Sequence, residues 1–136
     1  MLYFAYASNL SKDYMLSRCP ESKPIKKVIL KDYSLVFNQL ADIIPQENGL
    51  VFGAIYVVYK QELEDLDKLE GYPDLYDRKT VEVEDEKGNK YDAVAYIMVE
   101  KDFELPPDHY YEILLKGYED WDIPKEHLEK AKNREE

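Results

Sequence analysis

Leu2-Tyr3-Phe4-Ala5-Tyr6-Ala7-Ser8-Asn9-Leu10 opens the chain, and the rest of the fold is read outward from it. Leu2 to Ala5 is an apolar, strand-like run, and it breaks at Tyr6-Ala7-Ser8-Asn9. Ser11 is an N-cap residue type and Asp13 follows in the first turn, so a short helix is predicted through Arg18. A strand that ends in small and polar residues just before a helix leaves backbone N–H groups unpaired. Such a turn either caps itself or holds a carboxylate or an oxyanion.

Pro20 and Pro24 bracket a loop after that helix. Val28-Ile29-Leu30 and Tyr33-Ser34-Leu35-Val36-Phe37 are predicted as two strands around a Lys31-Asp32 turn, with residues 38 to 49 as a loop carrying Pro45 and Asn48-Gly49. Leu50 through Tyr59 is nearly continuous in apolar character, as expected of a strand central in a sheet. Gln61 to Glu70 has leucines at 63, 66 and 69, a helical spacing that predicts core packing, and Gly71 and Pro73 end it. Tyr76 to Glu84 and Tyr91 to Val99 alternate as strands, joined by a hairpin turn at Asp85-Glu86-Lys87-Gly88-Asn89. Pro106-Pro107 starts a helix with Tyr111, Leu114, Leu115 and Tyr118 on one face. Residues 119–136 form a charged C-terminal helix or tail after a main domain of residues 1–118. Strand runs mixed with few helices predict an α+β chain: a small mixed β-barrel or sheet with helices packed outside.

The 136 residues make about one domain, and 45% of them are hydrophobic, enough for one core. Thirteen tyrosines against four phenylalanines imply either polar networks around the core or a polar cavity, or else the surface and strand usage of a Lys/Glu-rich, thermophile-like chain. Eighteen Lys and Arg against 29 Asp and Glu give a net charge of −11. That balance repels phosphate backbones and anionic lipid, so neither nucleic acid nor a membrane surface is an expected partner. One cysteine, the absence of a ~20-residue apolar run and a start without signal-peptide charge fit a cytoplasmic protein.

Glu70 is the residue that suggests chemistry. It lies four positions after Leu66 and seven after Leu63, on their helix face, with Tyr72 and Tyr76 close behind. A carboxyl on an inner face is desolvated, and its pKa rises toward the range of a general acid/base. The simpler reading of a carboxyl at a helix end is that it turns out to water. Glu62 falls near the same arc but at the helix start, where free N–H groups favour a carboxylate. Cys19 has no evident base, and His109 and His127 lack metal-ligand spacing, so no metal is expected. Asp32, Asp42 and Asp67 are most simply turn and surface charges.

Tyr3-Phe4-Ala5-Tyr6-Ala7-Ser8-Asn9-Leu10 resembles the YFAYGSNL signature of the γ-glutamylcyclotransferase-like (AIG2-like) superfamily. Arg18-Cys19-Pro20, Phe52-Gly53-Ala54-Ile55-Tyr56, Leu66-Asp67-Lys68-Leu69-Glu70-Gly71-Tyr72 and Tyr76 with Arg78 resemble its further motifs in order, and Tyr91–Val99 extends the match. The resemblance implies a small mixed barrel with a cavity at one side. It implies that Glu70 is the acid/base, and that Tyr6, Ala7, Ser8, Asn9 and Leu10 bind the substrate's carboxylate and reacting carbonyl through backbone N–H groups. It places Tyr76, and Tyr110 from the last helix, against the ligand. The implied activity is cyclisation of a γ-glutamyl amino acid or γ-glutamyl amine to 5-oxoproline, as an acyltransferase-type enzyme without metal or redox cofactor, acting as a monomer or small homo-oligomer. Ala7 departs from the signature, which has glycine there. A need for φ > 0 or for close ligand approach there would make the alanine Cβ cost on the order of 1 kcal/mol or block the pocket, whereas in the β region alanine is harmless. The alternatives are a small-molecule-binding or regulatory module that keeps the pocket without turnover, and the same chemistry on an isopeptide such as γ-glutamyl-ε-lysine.

Overall fold

The computed structural model describes residues 1–133. Its first strand, β1 (Leu2–Ala5), is short and buried on both faces: Tyr3, Phe4 and Ala5 are all inside. Such a strand needs neighbours on both edges. It pairs antiparallel with β3 (Leu40–Val57), from Leu2 opposite Val57 to Ala5 opposite Ala54, and parallel with β5 (Lys90–Met98) at Tyr3 and Val94. With β2 (Lys23–Asn38) and β4 (Tyr76–Glu84), the strands close a barrel in the order β1-β3-β2-β4-β5. Closure leaves no free sheet edge at β1. The fold is thus α+β, a small mixed barrel with helices outside.

The apolar run from Leu50 takes the interior place expected of it, between β1 and β2. Two expectations next to it are corrected. Lys31-Asp32 is not a turn, and residues 38 to 49 are not a loop. β2 and β3 instead form one long hairpin that turns at Asn38-Gln39-Leu40, with Gln39 at φ 69. The breakers in residues 38 to 49 are absorbed by an irregularity in the ladder. Lys31 faces Leu50 and Tyr33 faces Pro45, so Asp32 stands opposite a longer stretch of β3. Asp32 and Asn48 both have positive φ, and the Asp32 carboxylate accepts the Asn48 N–H at 3.1 Å. A bulge of this kind bends the hairpin without ending it.

Two short elements follow β1: a 3-10 turn (Ser8–Leu10) and α1 (Lys12–Arg18), whose Ser11 side chain accepts the Tyr14 N–H. α2 (Lys60–Glu70) starts with Glu62 accepting the N–H groups of Tyr59 and Glu21 at 3.1 Å each, which fits a carboxylate at a helix start. It ends at Gly71, whose φ of 68 suits glycine. Leu63 and Leu66 are buried, but Leu69 is 56% exposed, which corrects its assignment to the core. The Asp85–Asn89 hairpin forms as read, its turn held by the Asp85 carboxylate. α3 (Asp108–Asp120) buries Tyr111, Leu114 and Tyr118. α4 (Glu126–Lys132) seats Leu128 and Ala131 in the core beside β2, and the rest of the predicted C-terminal segment, residues 134–136, lies outside the described residues.

α3 presses directly on the turn after β1. A Cβ on Gly117 would stand 2.8 Å from the Ser11 backbone nitrogen and 3.0 Å from the Leu10 carbonyl carbon. Backbone cannot move aside as a side-chain tip can. Gly117→Ala is therefore expected to cost about 1–3 kcal/mol of stability, read as a lower denaturation midpoint in urea.

Candidate active site

The end of β1, the end of α2 and the start of β4 converge at one side of the barrel. The cleft there is about 320 Å³ including its open mouth, and it is lined by Tyr3, Tyr6, Ala7, Ser8, Asn9, Ala41, Glu70, Tyr76, Tyr96 and Tyr110. Seven of the eight residues singled out from the sequence therefore share one cavity: Glu70, Tyr6, Ala7, Ser8, Asn9, Tyr76 and Tyr110. Leu10 does not line it. Its side chain is fully buried and its N–H donates to the Ala7 carbonyl at 3.0 Å, so that N–H is already spent.

The helical geometry of α2 decides where Glu70 points. Its position on the face of Leu63 and Leu66 turns it inward, and Gly71 then takes the chain away. The side chain is 17% exposed. Burial pushes its pKa above the usual carboxylate range, and the Arg18 guanidinium, 3.7 Å away, pulls it part of the way back. Arg18 is itself braced on Tyr14, lying 4.4 Å over the ring and donating to its hydroxyl at 2.6 Å.

The turn after β1 is the beginning of a 3-10 helix, so the N–H groups at its start have no acceptor within the turn. No backbone carbonyl elsewhere among the described residues takes those of Ala7 and Ser8. Ala7 has φ −128, a negative value, so alanine in the signature's glycine position pays no left-handed penalty. Asn9 is buried with its Nδ2 donating to the Tyr3 hydroxyl at 2.9 Å, while its Oδ1 has no partner among the described residues.

The tyrosines are tied down by their hydroxyls, as a tyrosine-edged polar cavity requires. Tyr6 donates to the Tyr96 carbonyl at 2.6 Å and Tyr76 to the Ala41 carbonyl at 2.7 Å, while Tyr110 accepts the Ala41 N–H at 3.0 Å. Tyr96 donates to Asp67 at 2.6 Å, and Asp67 also pairs with Arg78 at 3.4 Å. Burial first, with nearby carboxylates second or later, pushes the phenols of Tyr3, Tyr6, Tyr76, Tyr96 and Tyr110 well above their ordinary value. They stay neutral in the working pH range.

Several contributors were not legible as such. Tyr3 and Tyr96 line the cleft with rings 5.9 Å apart, and the only sequence hint was their place in strands that carry the family pattern. Nothing marks Ala41. Asp67 and Asp42 are corrected from surface charges: Asp67 orients Tyr96, and Asp42 is fully buried. Cys19 is buried with its thiol pushed up to about 11 by desolvation, unlike a nucleophile.

A sequence profile of the family described as gamma-glutamyl cyclotransferase, AIG2-like, matches residues 3–122. Gamma-glutamylcyclotransferase of Homo sapiens is 27% identical over 96% of this chain and 77% of its own length. The Mus musculus protein of the same name is 25% identical over the same shares. A solved structure of a gamma-glutamyl cyclotransferase superposes with a TM-score of 0.89 at 26% identity, covering 99% of this chain and 88% of that one. YkqA of Bacillus subtilis superposes with a TM-score of 0.81 at 28% identity, over 97% of this chain and 52% of its own.

A carboxyl whose pKa is raised by folding binds its proton more tightly in the folded state. Its contribution to stability is complete below the unfolded value, about 4.3, and is lost as pH rises through the folded value. Glu70→Gln should therefore melt at a higher temperature than wild type at pH 7, with the gain shrinking as pH falls to about 4, as followed by thermal denaturation across that range.

Proposed function

The chain belongs to the gamma-glutamyl cyclotransferase, AIG2-like family, and from that premise we propose that it converts a γ-glutamyl amino acid or γ-glutamyl amine to 5-oxoproline and the free amine, with Glu70 as the acid/base. The observation that carries this is a single, largely buried carboxyl set in the same small cleft as the start of a helical turn, where desolvation raises its pKa.

The reaction is an intramolecular acyl transfer. The substrate's α-ammonium gives a proton to the Glu70 carboxylate, and the resulting amine attacks the γ-carbonyl carbon to close a five-membered ring. Charge developing on the carbonyl oxygen is met by N–H groups of the turn at Ala7 and Ser8. The bond from the carbonyl carbon to the departing nitrogen then breaks. The ring nitrogen sheds two protons in all, and the carboxyl carries each in turn to the departing nitrogen, which leaves as an ammonium. Glu70 ends as it began. A pKa above the ordinary carboxylate range suits a group that must both accept and return a proton near neutral pH.

Other features of the cleft suit the same substrate. Asn9 Oδ1, buried and without a donor among the described residues, is an acceptor that an α-ammonium fills. The bound tyrosine hydroxyls hold the walls fixed, so reacting groups within one molecule are kept close, which supplies much of the rate.

Release of 5-oxoproline from a panel of γ-glutamyl amino acids, γ-glutamyl amines and γ-glutamyl-ε-lysine tests the function. Wild type is expected to turn over at least one of them, and Glu70→Gln to lower kcat/KM on it by roughly 10²- to 10⁴-fold. A wild type silent on the whole panel would point to the binding module.

A further inference from the structure

We propose that Asp42 is a positioning residue for the cleft: it fixes the tip of the β2–β3 hairpin so that Ala41 can anchor the hydroxyls of Tyr76 and Tyr110. The inference deepens the cyclotransferase reading, and its kinetic arm rests on that reading.

A carboxylate taken wholly out of water is costly unless its oxygens are filled. Asp42 is fully buried, and donors from three parts of the chain fill it. Oδ1 accepts the Met98 N–H at 2.9 Å. Oδ2 accepts Asn38 Nδ2 at 2.9 Å and Lys101 Nζ at 2.6 Å. The hairpin turn is thereby joined to the last residue of β5 and to the segment after it. Two backbone bonds tie the same pieces together: Gln39 N–H to the Glu104 carbonyl and Glu104 N–H to the Phe37 carbonyl, each at 3.0 Å.

The next residue along is Ala41, which lines the cleft. Its N–H donates to the Tyr110 hydroxyl from α3, and its carbonyl accepts the Tyr76 hydroxyl from β4. Two walls of the cleft are therefore set by one backbone residue near a hairpin tip. Hairpin tips with solvent-exposed backbone are ordinarily among the first parts of a fold to open. Here a buried carboxylate holds the tip down, from a position outside the cleft lining.

Asp42→Asn keeps the size of the side chain and removes the charge that Lys101 and the two N–H donors satisfy. Two measurements on the full chain test the proposal. In hydrogen exchange, the Ala41 amide is expected to exchange on the order of tenfold faster or more, while amides of the β1–β3 ladder keep their protection. In kinetics, kcat/KM for 5-oxoproline release is expected to fall on the order of tenfold to a hundredfold. Tyr110→Phe should cost less in the Asp42→Asn background than in wild type, because its hydroxyl has already lost its anchor. Unchanged exchange at Ala41, or effects of the two substitutions that simply multiply, would overturn the proposal. If Asp42→Asn does not fold, Lys101→Met removes the partner that reaches solvent and should show the same pattern more weakly. A wild type that releases no 5-oxoproline would defeat the function, and the exchange measurement would still decide the positioning.

Discussion

The cleft depends on where β1 closes the barrel. Four residues long and buried on both faces, β1 has to pair with β3 on one side and β5 on the other. Its end is therefore fixed, and the chain leaves the barrel at Tyr6 and Ala7 beside the end of α2. Both components of the site follow from that closure. The turn after β1 is held from above by α3, whose Gly117 lets the two backbones come close, and by Trp121, whose indole N–H donates to the Leu10 carbonyl at 2.8 Å. Glu70 arrives on the last turn of a helix whose inner face is set by Leu63 and Leu66.

Within the cleft, Glu70 is the one carboxyl among the lining residues. Burial raises Glu70 and Arg18 restrains the rise, so two opposed effects from the surroundings set a single titration. The tyrosines around it are all pushed the other way from reactivity, upward and neutral, and serve as walls and hydrogen-bond partners. Behind them a ring of charged groups keeps those walls in register: Asp67 with Arg78 for Tyr96, and Asp42 with Lys101 for the hairpin tip. In a chain of net charge −11, Arg18, Arg78 and Lys101 pair with Glu70, Asp67 and Asp42 respectively.

Much of this was legible in the sequence where the determinant is local. The apolar run of β1, its break before Ser11, the helix carrying Glu70 on its inner arc and the Asp85–Asn89 turn all rest on residues within a few positions of one another. The parts that were not legible depend on distant partners. Asp42 reads as a loop charge until Met98 and Lys101 are brought to it across the barrel, and Asp67 reads as solvated until Tyr96 and Arg78 face it. Pro45 and Asn48-Gly49 read as loop punctuation, whereas a bulge opposite Asp32 carries them inside a continuous hairpin. Leu69 fits the helical spacing but falls outside the buried arc, because α2 buries only one narrow stripe. At the signature's glycine position Ala7 has a negative φ, so left-handed freedom is not what the position needs here, and only the backbone angles could settle that.

The proposed function requires Glu70 to hold and release a proton beside a bound substrate. Titration of the Glu70 side-chain carboxyl by carbon NMR, in the free protein and with 5-oxoproline bound, addresses that claim most directly. The midpoint is expected above the ordinary glutamate value in the free protein and to move when 5-oxoproline binds. An ordinary midpoint that 5-oxoproline leaves untouched would rule out Glu70 as the acid/base.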